Sequence, residues 1–128
     1  MSTKRILAVE DNDLVRSFLE AGLSTAGYAV ETAHNGREAL EKIDRAPYDL
    51  IITDMRMPEL DGPAFCRALA ERGDDVLGRV LLLATPHSLD DHGTFVAESG
   101  LPALTKPVPL EHLHSAVESM LAAGLAGR

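Results

Sequence analysis

Acidic residues and a lysine follow three of the short apolar runs in this sequence. Glu10 and Asp11 follow the first run, Asp54 follows the third, and Lys106 follows the last. Carboxylates held close together repel one another, and Mg²⁺, which prefers oxygen ligands, relieves that repulsion. A lysine ammonium suits a phosphoryl oxygen or a carboxylate. Because an aspartate that faces both cations can attack phosphorus, these residue types predict phosphoryl transfer to Asp54.

The apolar runs have the length expected of strands in a parallel sheet. Residues 6–9, 50–52 and 80–83 are continuously apolar, as in strands buried on both faces. Residues 28–33 are more mixed, and residues 101–105 contain a proline, which is typical of edge strands. The sequence therefore predicts five strands, two of them at sheet edges.

Amphipathic stretches alternate with these runs. Helices are predicted over residues 15–26, 35–43, 61–69, 88–98 and 110–121. Asn35, followed three residues later by Glu38, resembles a capping box, and Asp61 before Pro63 resembles an N-cap. Strict alternation of strand and helix predicts a doubly wound α/β domain with helices on both faces of a parallel sheet.

The predicted topology gathers the chemically interesting residues at one edge. Sites in such sheets lie beyond the carboxyl ends of the strands, near the point where strand order reverses. Glu10, Asp11, Asp54 and Lys106 all occupy such ends, and the fourth strand delivers Ala84 and Thr85 there. We therefore expect three carboxylates and one ammonium to converge.

Composition limits the classes of protein that fit. A length of 128 residues fits a single domain, with a core at about residues 4–122 and a frayed tail at 123–128. The net charge of −8 and the aromatic content of 4% argue against a nucleic-acid partner. One cysteine, Cys66, excludes an internal disulfide and fits a reducing compartment. With no apolar run long enough to span a membrane, we expect a cytoplasmic domain with no membrane partner.

Together these motifs resemble one family. The chain resembles the receiver domain of two-component response regulators over about residues 4–122, of a stand-alone type or like those of hybrid histidine kinases. The motifs that carry the resemblance are Glu10-Asp11, Asp54 with residues 55–58, Asp61-Gly62 and Lys106-Pro107. The resemblance implies a flavodoxin-like (βα)5 fold, a five-stranded parallel sheet of strand order 2-1-3-4-5, and a cis peptide bond before Pro107.

The resemblance also implies a role for each site residue. Asp54 resembles the phospho-acceptor, which also faces the metal. Asp11 resembles the direct Mg²⁺ ligand, with Glu10 reaching the ion through water and Arg56 offering its backbone carbonyl. Mn²⁺ is an alternative ion. Lys106 resembles the lysine that contacts the phosphoryl group.

Two positions depart from the family pattern. The family usually has Thr or Ser at the end of the fourth strand, whose hydroxyl binds the new phosphoryl group. The ungapped spacing from the lysine places Ala84 there, whereas a shift of one residue places Thr85 there. An aromatic residue often stands three positions before the lysine, where this chain has Ala103. In the ungapped register, both elements of the usual conformational switch are missing.

Two functions remain open at this stage. The first is a Mg²⁺-dependent receiver that accepts a phosphoryl group on Asp54 from the phosphohistidine of a histidine kinase or phosphotransfer protein. With no output domain, it would relay or store phosphate, or signal to an unknown downstream protein. The second is a pseudo-receiver that binds a protein partner regardless of phosphorylation.

Enzymatic turnover of other substrates is not expected. The first function involves only self-directed phosphoryl transfer and autodephosphorylation. A phosphatase with an aspartate nucleophile generally needs a second carboxylate two residues on, and Arg56 stands there.

Overall fold

Five strands alternate with helices along the chain. The computed structural model describes residues 3–57, 59–85 and 95–126. The strands are β1 (Arg5–Val9), β2 (Ala29–Ala33), β3 (Leu50–Asp54), β4 (Val80–Ala84) and β5 (Ala103–Thr105). The helices are α1 (Asp13–Thr25), α2 (Gly36–Arg45), α3 (Gly62–Glu71), α4 (Asp74–Leu77), α5, described for residues 95–99, and α6 (Leu110–Ala126).

All strand pairs are parallel, and their order is β2-β1-β3-β4-β5. This confirms the predicted doubly wound topology and the two edge strands. Every residue of β3 and β4 is buried, whereas β2 alternates and β5 is largely exposed. The continuously apolar runs are thus central because both of their faces are covered by helices.

Apolar side chains form one core on each face of the sheet. On one face α3 contributes Phe65, Cys66 and Leu69. On the other, α1 and α6 pack with Leu19 and Val117 among their buried residues. Phe65 and Cys66 are 0% and 3% exposed, so both are core residues. Leu110, the first residue of α6, is 37% exposed.

Local signals fix the helix starts next to the strand ends. The Asn35 side chain accepts from the Glu38 backbone N–H at 2.7 Å. The returning bond runs from the His34 N–H to the Glu38 carboxylate, one residue earlier than in an ideal capping box. Asp61 caps α3 by accepting from the Ala64 N–H at 3.0 Å, as predicted.

Several boundaries differ from the sequence prediction. The short helix α4 was not predicted. The helix α6 extends to Ala126, four residues into the segment predicted as a frayed tail. β5 begins at Ala103, because Pro102 precedes it and cannot donate a ladder hydrogen bond. Of the predicted helix at 88–98, residues 95–98 are helical and the rest lie outside the described residues.

In the described part of the chain, no helix is both long and apolar enough to cross a membrane.

Candidate functional site

The carboxyl ends of β1, β3 and β5 bring the three acids and the lysine together. One carboxylate oxygen from each of Glu10, Asp11 and Asp54 lies within 4.8 Å of the others. The Lys106 Nζ lies 2.9 and 3.0 Å from the two carboxylate oxygens of Glu10. It also lies 3.2 Å from Oδ2 of Asp54. Residues separated by 96 positions in sequence thus form one compact charged site.

Asp54 is held at the end of a buried strand. It is the last residue of β3 and pairs with Leu83 of β4. Its Oδ1 accepts a hydrogen bond from the Met55 N–H at 2.8 Å, while its Oδ2 faces Lys106. The residue is only 6% exposed, so its side chain is enclosed. One oxygen is anchored by backbone, and the other faces the lysine.

Glu10 is the most buried acid of the site, with 1% exposure. Burial, the largest cause, raises its pKa to about 7, and the Asp54 charge adds to this, while Lys106 works in the opposite direction. Burial lowers the pKa of Lys106, but the hydrogen bond with Glu10 and the negative charges of Asp54 and Glu10 outweigh it and raise that pKa. The lysine is therefore firmly cationic.

Asp11 provides the solvent-facing carboxylate. It is exposed, unlike Glu10 and Asp54, and stands in the three-residue connection between β1 and α1. Asn12, the next residue, caps α1 by accepting from the Val15 N–H at 3.0 Å. The carboxyl edge of the sheet thus has one exposed carboxylate, that of Asp11, and two buried ones, those of Glu10 and Asp54.

Ala84, Thr85 and Arg56 lie at or just after the ends of β4 and β3. Ala84 is the last residue of β4, is 1% exposed and accepts from the Lys106 N–H at 2.7 Å. The methyl group of Ala84 therefore stands at the end of β4, and the assignment of the family's hydroxyl position to Ala84 or Thr85 stays a prediction. Thr85 lies one residue beyond and is partly buried. Arg56 is exposed in the loop after β3, and its carbonyl as a metal ligand stays a prediction.

The peptide bond between Lys106 and Pro107 is cis, which confirms that prediction.

An apolar groove adjoins the charged site. It has a volume of about 530 Å³, and Leu14, Phe18, Pro107 and Val108 contribute to its walls, with Lys106 at its charged end. Leu14 is 83% and Phe18 44% exposed. Phe18 belongs to the apolar periodicity that predicts a helix over residues 15–26. Apolar periodicity cannot separate a core face from an adjoining exposed groove.

Fold and site define a doubly wound α/β protein with an acidic pocket and a lysine at the carboxyl edge of its sheet. The model of the response regulator receiver domain matches residues 6–118. The chain belongs to this family. It is also 38% identical, over 117 residues, to response regulator MprA of Mycobacterium leprae, covering 91% of this chain and 50% of that protein. The chain thus spans about half the length of the curated relatives it matches.

Solved structures agree with this assignment. The chemotaxis response regulator CheY4 of Vibrio cholerae is 33% identical, with a TM-score of 0.79 over 93% of this chain and 99% of that one. A receiver domain of a signal transduction histidine kinase from Syntrophus aciditrophicus is 34% identical, with a TM-score of 0.82 over 94% and 92%. A Clostridium thermocellum receiver domain has a TM-score of 0.87 over 98% and 99%, but at 24% identity it supports the fold alone.

Proposed function

We propose that this receiver domain accepts a phosphoryl group on Asp54 from the phosphohistidine of a histidine kinase or phosphotransfer protein. The observation that carries the proposal is the placement of Asp54 3.2 Å from Lys106, with carboxylate oxygens of Glu10 and Asp11 beside it. Phosphoryl transfer requires mainly alignment and charge neutralisation, and this arrangement is suited to both.

The acid cluster fits a hard divalent cation, Mg²⁺ first and Mn²⁺ as an alternative. Its donors are carboxylate oxygens, all within 4.8 Å of one another, which is the chemistry that Mg²⁺ prefers. Asp11 and Asp54 would hold the ion directly, Glu10 through water and Arg56 through its backbone carbonyl. When bound, the ion would neutralise charge on the phosphoryl oxygens.

The chain's own residues then perform the transfer. The Oδ2 of Asp54 forms a bond to phosphorus as the phosphorus–nitrogen bond of phosphohistidine breaks, and the imidazole nitrogen keeps the electron pair. Lys106, held by Glu10 and Asp54, is placed to meet a phosphoryl oxygen. Water later attacks the aspartyl-phosphate and releases inorganic phosphate, so the chemistry is self-directed and the domain turns over no other substrate.

The groove beside Lys106 supports a protein as the phosphoryl donor. A donor must bring its phosphohistidine to the charged end of the groove, and exposed Leu14 and Phe18 offer apolar contact next to that point. Such donors and the single buried cysteine fit a cytoplasmic location. The phosphorylated domain would relay or store the group, or signal by contact with a downstream protein.

A phosphorylation-independent binding module is the second candidate. Ala84 and Ala103 motivate it, because neither has the hydroxyl or aromatic group of the family's usual switch. This module would bind its partner equally well before and after exposure to a phosphodonor.

Intact mass after incubation with Mg²⁺ and acetyl phosphate tests the proposal. We expect one phosphoryl adduct on the wild type and none on Asp54→Asn, which removes the nucleophile but retains the shape. Wild type in excess EDTA is the control for the metal. If neither acetyl phosphate nor a phosphorylated histidine kinase modifies the folded wild type, the receiver chemistry is refuted and the binding module is favoured.

A further inference from the structure

We propose that Arg16 is a positioning residue that sets the orientation of the Asp11 carboxylate for metal binding. The inference rests on the proposed metal-dependent function and adds a residue of α1 to it. Among the described residues, no hydrogen bond or ion pair joins Arg16 to any of the three site carboxylates. Its action would be on the backbone that carries one of them.

The Arg16 guanidinium bridges the connection between β1 and α1. Its Nη1 donates to the backbone carbonyl oxygen of Glu10 at 2.9 Å. Its Nη2 forms an ion pair and hydrogen bond with the Asp13 carboxylate. The Arg16 side chain is 23% exposed, whereas that of Asp13 is 86% exposed. The Arg16 side chain therefore links the residue that follows β1 to the first residue of α1.

The contact to Glu10 bears directly on Asp11. The carbonyl of Glu10 and the N–H of Asp11 belong to one planar peptide unit. Fixing that carbonyl fixes the plane from which the Asp11 side chain departs. The Glu10 N–H is also fixed, since it donates to the Ala33 carbonyl of β2 at 3.0 Å. With both sides of Glu10 held by hydrogen bonds, the connection has little freedom to rotate.

Geometry and charge make opposite predictions for Arg16. A cation near an acidic metal site repels Mg²⁺, so an electrostatic role alone means that its removal tightens Mg²⁺ binding. A positioning role means that its removal weakens binding, because Asp11 then samples orientations that do not bind. Residues that orient metal ligands typically contribute 10- to 100-fold in affinity. The sign of the change therefore separates the two roles.

Calorimetric titration of metal-free protein with Mg²⁺ tests the proposal. We expect Arg16→Ala to raise the Kd for Mg²⁺ by about tenfold. Arg72→Ala is the matched control, because Arg72 also lies at a helix, pairs with an aspartate, Asp44, and donates to a backbone carbonyl, that of Ala68. It lies where α3 ends, at the amino edge of the sheet, and its loss should change the Kd less than twofold.

Melting temperatures in EDTA separate positioning from general stability. A loss of Mg²⁺ affinity in Arg16→Ala with a metal-free melting temperature close to that of Arg72→Ala supports the proposal. If Arg16→Ala does not fold, Arg16→Lys keeps the charge and the aliphatic stem but not the planar fork, and a weaker Mg²⁺ complex is again expected. Equal or tighter Mg²⁺ binding by a folded Arg16 variant overturns the proposal. Failure of the wild type to bind Mg²⁺ refutes the proposed function instead.

Discussion

At the scale of single residues, Glu10 shows how burial creates a chemical property that its neighbour lacks. Glu10 and Asp11 are adjacent in sequence, yet one is 1% exposed and the other exposed. Burial raises the pKa of Glu10 to about 7 although Lys106 bonds both of its carboxylate oxygens. The enclosed acid therefore carries a proton over a pH range in which the unfolded chain does not.

This pKa predicts how the stability of the metal-free protein depends on pH. Between about pH 4.5 and 7 the folded protein binds more protons than the unfolded chain, so its free energy of unfolding falls as pH rises through that window. The shift corresponds to about 3 kcal/mol. Thermal unfolding in EDTA from pH 5 to 8 should show a falling melting temperature. Glu10→Gln should flatten the curve, and an equally steep curve in that variant would contradict the assignment to Glu10.

At the scale of elements, α1 supplies two different surfaces. Leu19 and Leu23 face the sheet and are buried, while Leu14 and Phe18 border the groove beside Lys106. The same helix therefore stabilises the core and extends an apolar surface to the edge where chemistry is expected. A protein donor can use that surface, whereas a small phosphodonor has no need of it.

Phe18→Ser should slow phosphoryl transfer from a protein donor but not from a small phosphodonor. Transfer from a phosphorylated histidine kinase that modifies the wild type should slow by about tenfold, equivalent to 1.4 kcal/mol of lost contact. Labelling by acetyl phosphate should remain within about twofold of wild type, because Phe18 is 44% exposed and is not one of the charged residues of the site. Quench-flow labelling with each donor measures both rates. Equal slowing with both donors would indicate a damaged site rather than a lost docking contact.

At the scale of the whole molecule, charge is concentrated where the fold gathers acids. The net charge of −8 includes three carboxylates within 4.8 Å, and one ammonium offsets only part of their repulsion. Bound cations should therefore stabilise the folded state by mass action, since the unfolded chain does not assemble the cluster. The domain is thus expected to be least stable without metal.

Asp54→Asn tests this balance of charge. It removes the Asp54 carboxylate from the acid cluster while Lys106 keeps its two bonds to Glu10, so the metal-free melting temperature should rise by a few degrees. Mg²⁺ should raise the melting temperature of the wild type more than that of the variant. Scanning calorimetry with EDTA or Mg²⁺ measures both effects. A lower melting temperature of the variant in EDTA would show that the Asp54–Lys106 ion pair outweighs the repulsion.

The sequence by itself determined the alternation of strands and helices, the grouping of the charged residues at one edge of the sheet, and the starts of α2 and α3. Continuous apolar runs needed two covered faces, which made β1, β3 and β4 central, and the N-caps at Asn35 and Asp61 are local hydrogen bonds that depend on neighbours only three residues away. The acids could be grouped in advance because a parallel sheet brings its carboxyl ends to one edge. These features follow from periodicity and short-range chemistry.

Only the tertiary structure decided how those residues differ from one another. The burial of Glu10 beside exposed Asp11, the groove at Phe18 and the bond from Arg16 to the Glu10 carbonyl depend on how α1 lies against the sheet and on β5. The strand pairing likewise set the last residue of β4 at Ala84, which pairs with Thr105 of β5. Distances between elements set exposure and contact, and a one-dimensional pattern does not encode those distances.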